Sequence, residues 1–358
     1  MTLQDLSRRG FVKIVGSGAA LGVLGARGLP WARAEESAEP GEEPRFRFVQ
    51  WNDIHIDVTP SRAPRRADEK LKYLIEWLNA PKRASHYDFV LGIGDLIHGG
   101  DPESLAADTR RLKQLLGDLK VPLYPALGNH ENVGKEGIAA FESPFCEAFG
   151  LDRTNYAVRH KGCLFVMLNN SGDPRSKDSE VARRRNDWFR DVLKGSSDTP
   201  TFVCCHIPLV PVREKQVLAK SFGFTSSSFF AQDNEMLEIV EEHADSVLAV
   251  LSGHLHLTGV VRRKGVHHIC LAGMASHPSD FATYDVYADR VRVRVRSLPD
   301  RLLTPRLNLH GKPRHKVDFT DAAHATPESY IMGNASERDF ELVLPSLDAK
   351  PAPGFPSD

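Results

Sequence analysis

From Arg45 onward the chain alternates short apolar runs with stretches of helical periodicity. Residues 46–51, 89–93, 123–127, 163–168, 202–205 and 247–251 are almost wholly apolar, and most end on polar residues or glycine. Runs apolar at nearly every position predict strands buried on both faces. Between them, residues 67–78, 103–119, 179–193 and 234–243 predict helices. In the second of these, Leu105, Leu112, Leu115, Leu116 and Leu119 recur at helical spacing and define one buried face. Strands separated by helices predict an α/β fold.

The pattern changes towards the end. Residues 260–261, 268–271, 283–287 and 291–295 predict antiparallel strands with no helices between them. Arg290, Arg292, Arg294 and Arg296 alternate with Val291, Val293 and Val295. That period of two turns the valines to a core and the arginines outward, either as a solvated strand face or as a basic substrate groove. Beyond Leu298 the chain is rich in proline, histidine and charge, which predicts an irregular extension over 299–358.

Composition adds two constraints. Forty-one per cent of the 358 residues are hydrophobic, enough for a sizeable core, and the formal net charge is −1. The charge is unevenly spread: residues 1–34 hold five Lys/Arg and one acid, leaving 41 basic and 46 acidic residues beyond them, a net of −5. An acidic body gives no electrostatic reason for a stable nucleic-acid partner. No apolar run beyond the first residues is long enough to span a bilayer, so no membrane partner is expected of the body. The five cysteines lack metal-knuckle spacing; Cys163, Cys204, Cys205 and Cys270 lie in or beside apolar runs and read as buried free thiols.

The first 34 residues read as an address. Ser7-Arg8-Arg9-Gly10-Phe11-Val12-Lys13 precedes a weakly hydrophobic Gly/Ala-rich segment, and Ala32-Arg33-Ala34 offers small residues where a signal peptidase reads. Five glycines between positions 16 and 28 oppose a packed helix there. The paired arginines resemble the twin-arginine translocation (Tat) motif, differing only at variable places. That resemblance implies export by the Tat translocase, cleavage by signal peptidase and a periplasmic or secreted product. Residues 35–44, rich in Pro and Glu, read as a linker.

Five short segments each follow an apolar run: Asp53-Ile54-His55, Gly94-Asp95, Gly128-Asn129-His130-Glu131, His206, and Gly253-His254-Leu255-His256. In an open α/β sheet the carboxyl ends of strands are where loops converge on a site. Imidazole, carboxylate and amide oxygen suit transition metals of borderline softness such as Mn, Fe, Co or Zn, and one carboxylate can bridge two ions. Two cations about 3.5–4 Å apart clamp the attacking and leaving oxygens of a phosphate ester and provide hydroxide near neutral pH. Each segment alone is weak; all five, in order and each after a strand, are not.

Together they resemble the signature D-x-H, GD, GNH(E/D), H, GH-x-H of the calcineurin-like metallophosphoesterase superfamily, over residues 45–298. The resemblance implies a four-layer αββα sandwich with two metal ions at one sheet end. It implies that Asp53, His55 and His256 hold the first ion, that Asn129, His206 and His254 hold the second, and that Asp95 bridges them. His130 would face the phosphate and stabilise the transition state or protonate the leaving oxygen. The substrate would be a small phosphate monoester or diester.

His98 stands where purple acid phosphatases carry a tyrosine ligand. A histidine there resembles the nuclease branch, near the catalytic histidine; the plainer reading is an outer-shell hydrogen bond. Asn170 and Trp188 also resemble recurrent family features, and packing roles are expected of them. A metal-binding scaffold without catalysis and a nuclease-like phosphodiesterase are the alternatives. Residues 136–153, 208–232 and 277–281 are the loops expected to select substrate. The second of them, with Phe222, Phe224, Phe229 and Phe230, is either a lid or an ordinary packed loop.

Overall fold

The six apolar runs form strands within one residue of the expected bounds, and the four helical stretches form helices. In the computed structural model, residues 42–59, 66–80, 86–131, 139–171, 180–222, 234–303 and 320–344 are described. The first half contains β1 (Phe46–Trp51), α1 (Ala67–Asn79), β2 (Phe89–Ile93), α2 (Pro102–Leu116), β3 (Leu123–Ala126), α3 (Ala139–Phe149), β4 (Tyr156–His160), β5 (Cys163–Leu168) and α4 (Glu180–Lys194). There follow β6 (Thr201–Cys205), α5 (Lys215–Phe222), α6 (Asn234–Glu242), β7 (Val247–Ser252), β8 (Gly259–Arg263), β9 (Val266–Cys270), β10 (Asp280–Val286) and β11 (Arg290–Ser297). The last elements are α7 (Pro327–Met332), α8 (Ala335–Arg338) and β12 (Asp339–Val343). The expected export segment and most of the linker lie outside the described residues.

The strands make two six-stranded sheets, ordered β12-β11-β10-β1-β2-β3 and β4-β5-β6-β7-β9-β8. In the first, β1, β2 and β3 are parallel. In the second, β5, β6, β7 and β9 are parallel. The sheets face each other across an aromatic core, with Phe48 stacked on Tyr284 (4.3 Å) and Phe165 on Phe202 (5.1 Å). Leu71, Leu74 and Leu78 of α1 and Leu105, Leu112 and Leu115 of α2 cover the other face of the first sheet. Phe189 and Leu193 of α4 and Met236, Ile239 and Val240 of α6 cover the second. This is the four-layer αββα order, and it explains the unbroken apolar runs: the central strands are buried on both faces. Among the described residues no helix is long and apolar enough to cross a membrane.

Three features differ from the sequence reading. Residues 320–344 are not irregular: β12 pairs antiparallel with β11 and ends the first sheet. Its alternation spans five residues, with Leu342 buried and Phe340 half-buried between Asp339, Glu341 and Val343, too short a period to stand out in a polar tract. The arginines of β11 do point away from the core, as the period required, but they are only partly exposed, and Arg290, Arg292 and Arg294 are joined to carboxylates. Arg292 pairs with Asp339 (3.2 Å), Arg294 with Asp285 (2.7 Å) and Arg290 with Glu42 (2.9 Å). Neither a basic groove nor a freely solvated row describes them. Finally, α3 occupies part of the stretch read as a loop, and β4 is a half-exposed edge strand with too few apolar positions to announce itself. Cys163, Cys204, Cys205 and Cys270 are buried free thiols, as expected.

Candidate metal centre

All five motif segments leave the carboxyl end of a strand: three from the adjacent parallel strands β1, β2 and β3, two from the adjacent strands β6 and β7. The chain turns sharply at the exits of β1, β2 and β7. Asp53, His55, Asp95, His254 and His256 all have positive φ, between 49° and 69°. Left-handed backbone costs a non-glycine residue roughly 1–2 kcal/mol, least for Asp, Asn and His, and such strain gathers at functional sites. Two glycines let backbone approach the carboxylates. A Cβ on Gly128 would lie 2.2 Å from the Asp95 amide nitrogen, and one on Gly253 2.3 Å from Asp53 Oδ2.

Each carboxylate is tied by one oxygen and presents the other. Asp53 Oδ2 accepts from Asn52 Nδ2 (2.5 Å) and the His254 amide (3.0 Å), while Oδ1 faces His256 Nε2 at 3.1 Å and His55 Nε2 at 3.7 Å. Asp95 Oδ1 accepts from the His130 amide (2.8 Å), while Oδ2 faces His206 Nε2 at 3.1 Å and His55 Nε2 at 3.6 Å. The imidazoles are held from behind. His206 Nδ1 donates to the Ile93 carbonyl (3.0 Å), which fixes the tautomer and turns Nε2 into the site; His256 Nδ1 meets Ser276 Oγ at 2.6 Å.

Electrostatics follow this geometry. Burial would raise Asp53, but the rings of His256 and His206 hold its pKa well below the usual carboxylate range. Burial likewise opposes ionisation of Asp95, and His206 and His130 hold it low. For His206, burial is outweighed by Asp95 and Asp53, which push its pKa up to about 10. Burial and then the neighbouring His130 push His55 well down.

Asp53 Oδ1, His55 Nε2, Asn129 Oδ1 and His206 Nε2 are buried with no hydrogen-bond partner. Bare polar atoms cost about 1–3 kcal/mol each, and here all four belong to residues of the motif segments. Asp53, His55 and His256 form one group with ligand atoms within 4.8 Å of one another, and Asp95, His206 and His254 form a second. Carboxylate oxygens and imidazole nitrogens converging in this way fit cations. The third such group is His55, His98 and His130.

His130 is half-buried and its Nδ1 donates to the His98 carbonyl at 2.6 Å, leaving Nε2 for a ligand. The buried His98 ring sits behind His55, Nδ1 to Nδ1 at 3.4 Å. The aspartates and histidines of the motifs thus meet as a set, with His98 against His55 and His130.

Several supports were not anticipated. Glu131, the last residue of the third motif, accepts four backbone N–H bonds, from Asp95 (2.9 Å), Leu96 (2.5 Å), Ile97 (3.1 Å) and Gly128 (2.8 Å). It locks the β2 and β3 exits together, and its place in the motif was the only signal. Asn170 does more than pack: its amide bonds both ways with Ile207 (2.6 and 3.1 Å), fixing the backbone after His206. Trp188 does pack, half-buried against the α4 cluster. Nothing in the sequence marked Ser276. Of the expected selectivity loops, residues 132–138 and 223–233, with Phe224, Phe229 and Phe230, lie outside the described residues.

Known structures share this fold. A dimetal phosphatase from Danio rerio aligns over 71% of this chain and 97% of its own, at 19% identity and a TM-score of 0.55. The purple acid phosphatase PPD1 from yellow lupin seeds aligns over 89% of this chain and 58% of its own, at 14% identity and 0.56. GAP50, the anchor in the inner membrane complex of Plasmodium, aligns over 71% and 85%, at 13% and 0.52. These likenesses concern the fold. No curated protein matches the sequence significantly. The sequence profile of the calcineurin-like phosphoesterases, however, matches residues 46–257, which hold all five motif segments and more than half of the chain. With that match, the αββα layers and the converging Asp and His side chains, the chain belongs to the calcineurin-like phosphoesterase family.

Proposed function

We propose that the protein is an exported two-metal phosphoesterase acting on phosphate monoesters or diesters. The observation that carries this reading is the set of buried, unpartnered ligand atoms on Asp53, His55, Asn129 and His206. In this reading Asp53, His55 and His256 would hold one ion, Asn129, His206 and His254 would hold the other, and Asp95 would serve both. The ions, of Mn, Fe, Zn or Co type, would neutralise phosphate charge and acidify water between them.

The chain's own residues do the rest. Asp53 and Asp95 are held ionised at neutral pH by the imidazoles around them. His206 and His256 are aimed by Ile93 and Ser276, so little rotation is needed on loading. His130, with Nδ1 anchored on a carbonyl that can only accept, presents Nε2 to the ester. There it donates a proton to the leaving oxygen or stabilises charge on the transferring phosphoryl group. His98 holds both partners, His55 through its ring and His130 through its carbonyl.

Export rests on Arg8 and Arg9 and the segment behind them. The Tat route carries folded proteins, so the ions could be loaded before export to the periplasm or medium. The deciding experiment is turnover of a panel of monoesters and diesters by the metal-reconstituted protein. Hydrolysis of any class supports the reading. Ion binding without turnover of any of them would leave a metal-binding scaffold of the same fold.

A further inference from the structure

The chain beyond residue 319 lies outside the stretch that the family profile matches, yet it touches the loop that carries His254 and His256. We propose that residues 320–344 are a strap that positions this loop, closed by the buried pair Arg213–Glu337. The proposal rests on the reading of His254 and His256 as metal ligands.

The loop is seated on the strap from both sides of His256. Leu255 and Leu257 are buried in one apolar cluster with Tyr330 and Ile331 of α7. Immediately beyond, the Thr258 amide donates to the Ile331 carbonyl (2.8 Å), and the Thr258 carbonyl accepts from Arg213 Nη2. Arg213 stands in the segment that follows His206, and its Nη1 also donates to the Val212 carbonyl of that segment (2.8 Å). It donates through Nε to the Tyr330 carbonyl (2.9 Å) and through Nη1 to Glu337 Oε1 (2.7 Å). Gly259 makes room for it: a Cβ there would lie 2.6 Å from Nη1.

Glu337 completes the closure. Its Oε1 also accepts from the Val260 amide (3.0 Å), and its Oε2 accepts from the Asn334 amide (2.8 Å) and meets His324 Nε2 at 2.8 Å. Burial opposes its ionisation, but the Arg213 charge and these donors hold its pKa below the usual carboxylate value. Removing one member of such a pair strands a buried charge. His254 and His256 both hold positive φ (69° and 52°), a conformation that persists only where surroundings over-determine it. Asp53 Oδ2 fixes the loop at one end through the His254 amide; the strap fixes the other.

The test uses the full chain with Glu337→Gln, which keeps shape and removes charge, against Asp339→Asn. Asp339 belongs to the same strap but pairs with Arg292 in an exposed contact away from the loop. Co2+ is titrated into each protein, its visible spectrum is recorded, and amide exchange at Thr258 is followed without metal. Glu337→Gln is expected to weaken Co2+ binding about 10–100-fold and to alter the spectrum, with Thr258 exchanging about tenfold faster or more. Asp339→Asn is expected to match the parent. Should Glu337→Gln not fold, His324→Gln, which loosens Glu337 without removing it, is expected to give smaller changes of the same sign. Unchanged Thr258 exchange in the variant, or parent-like Co2+ affinity and spectrum, would overturn the strap. A parent that binds no Co2+ would instead sink the metal reading, and Thr258 exchange would still decide whether the strap holds the loop.

Discussion

His130→Ala separates the acid from the metals. The substitution removes the ring that donates to the His98 carbonyl and lies edge-on to His55 at 4.5 Å. It keeps the His130 backbone amide, which bonds Asp95 Oδ1 at 2.8 Å, so the Asp95 carboxylate stays oriented. The ring is half-buried, so no closed cavity is left behind. Metal content should therefore hold while turnover falls by about 10²–10⁴, equivalent to about 3–5 kcal/mol of barrier. The loss should be larger on an alkyl phosphate than on an activated aryl ester, because an acid matters most when the departing oxygen is basic. The assay is kcat on matched alkyl and aryl esters, with metal analysis of the same samples. Near-parent turnover on the alkyl ester with metals bound would refute the assignment, and an equal loss on both esters would leave charge stabilisation without proton transfer.

Glu131→Gln should destabilise the metal-free protein. Burial and then the Asp95 charge push the Glu131 pKa up to about 7, so the comparison is made at pH 8, where the carboxyl is ionised. An amide can serve two of the four backbone donors and opposes the others, and hydrogen bonds to a charged acceptor are worth about 1.5–3 kcal/mol each. A loss of about 3 kcal/mol or more is expected in urea denaturation, and a loss below about 1 kcal/mol would contradict the lock. His268, on β9, is buried with neither ring nitrogen hydrogen-bonded, and burial, then Arg263, pushes its pKa down to about 4. The unfolded chain binds that proton near pH 6.5, so the contribution is present above 6.5 and lost as pH falls towards 4, by about 3 kcal/mol in all. His268→Phe should flatten that part of the stability profile, and an unchanged slope would refute it. Changing Arg8 and Arg9 together to Lys should leave full-length precursor in the cytoplasm; normal export of the double variant would remove the Tat reading.

What the sequence made legible were features written locally. Runs such as 46–51 and 163–168 are buried on both faces, so every residue signals the strand. The five motif segments lie at strand exits, so chain order alone brought Asp53, Asp95, His206 and His256 to one end of the sheets. Legibility failed where the signal depends on a distant partner. Asp339-Phe340-Glu341-Leu342-Val343 becomes a strand because β11 offers it arginines and an open edge, and nothing inside those five residues says so. Glu131, Asn170 and Ser276 support the site through hydrogen bonds to residues 3 to 37 positions away, and such bonds leave no period. Arg213 and Glu337 stand 124 positions apart, each an ordinary charged residue until folding buries them together.

The central claim is a two-ion centre bridged by Asp95, and metal analysis of the parent and of Asp95→Asn tests it most directly. The account predicts close to two transition-metal ions per parent chain and weaker binding at both sites in the variant, because the lost charge served both cations. One ion or none in the reconstituted parent, or two ions held at unchanged affinity by Asp95→Asn, would contradict it.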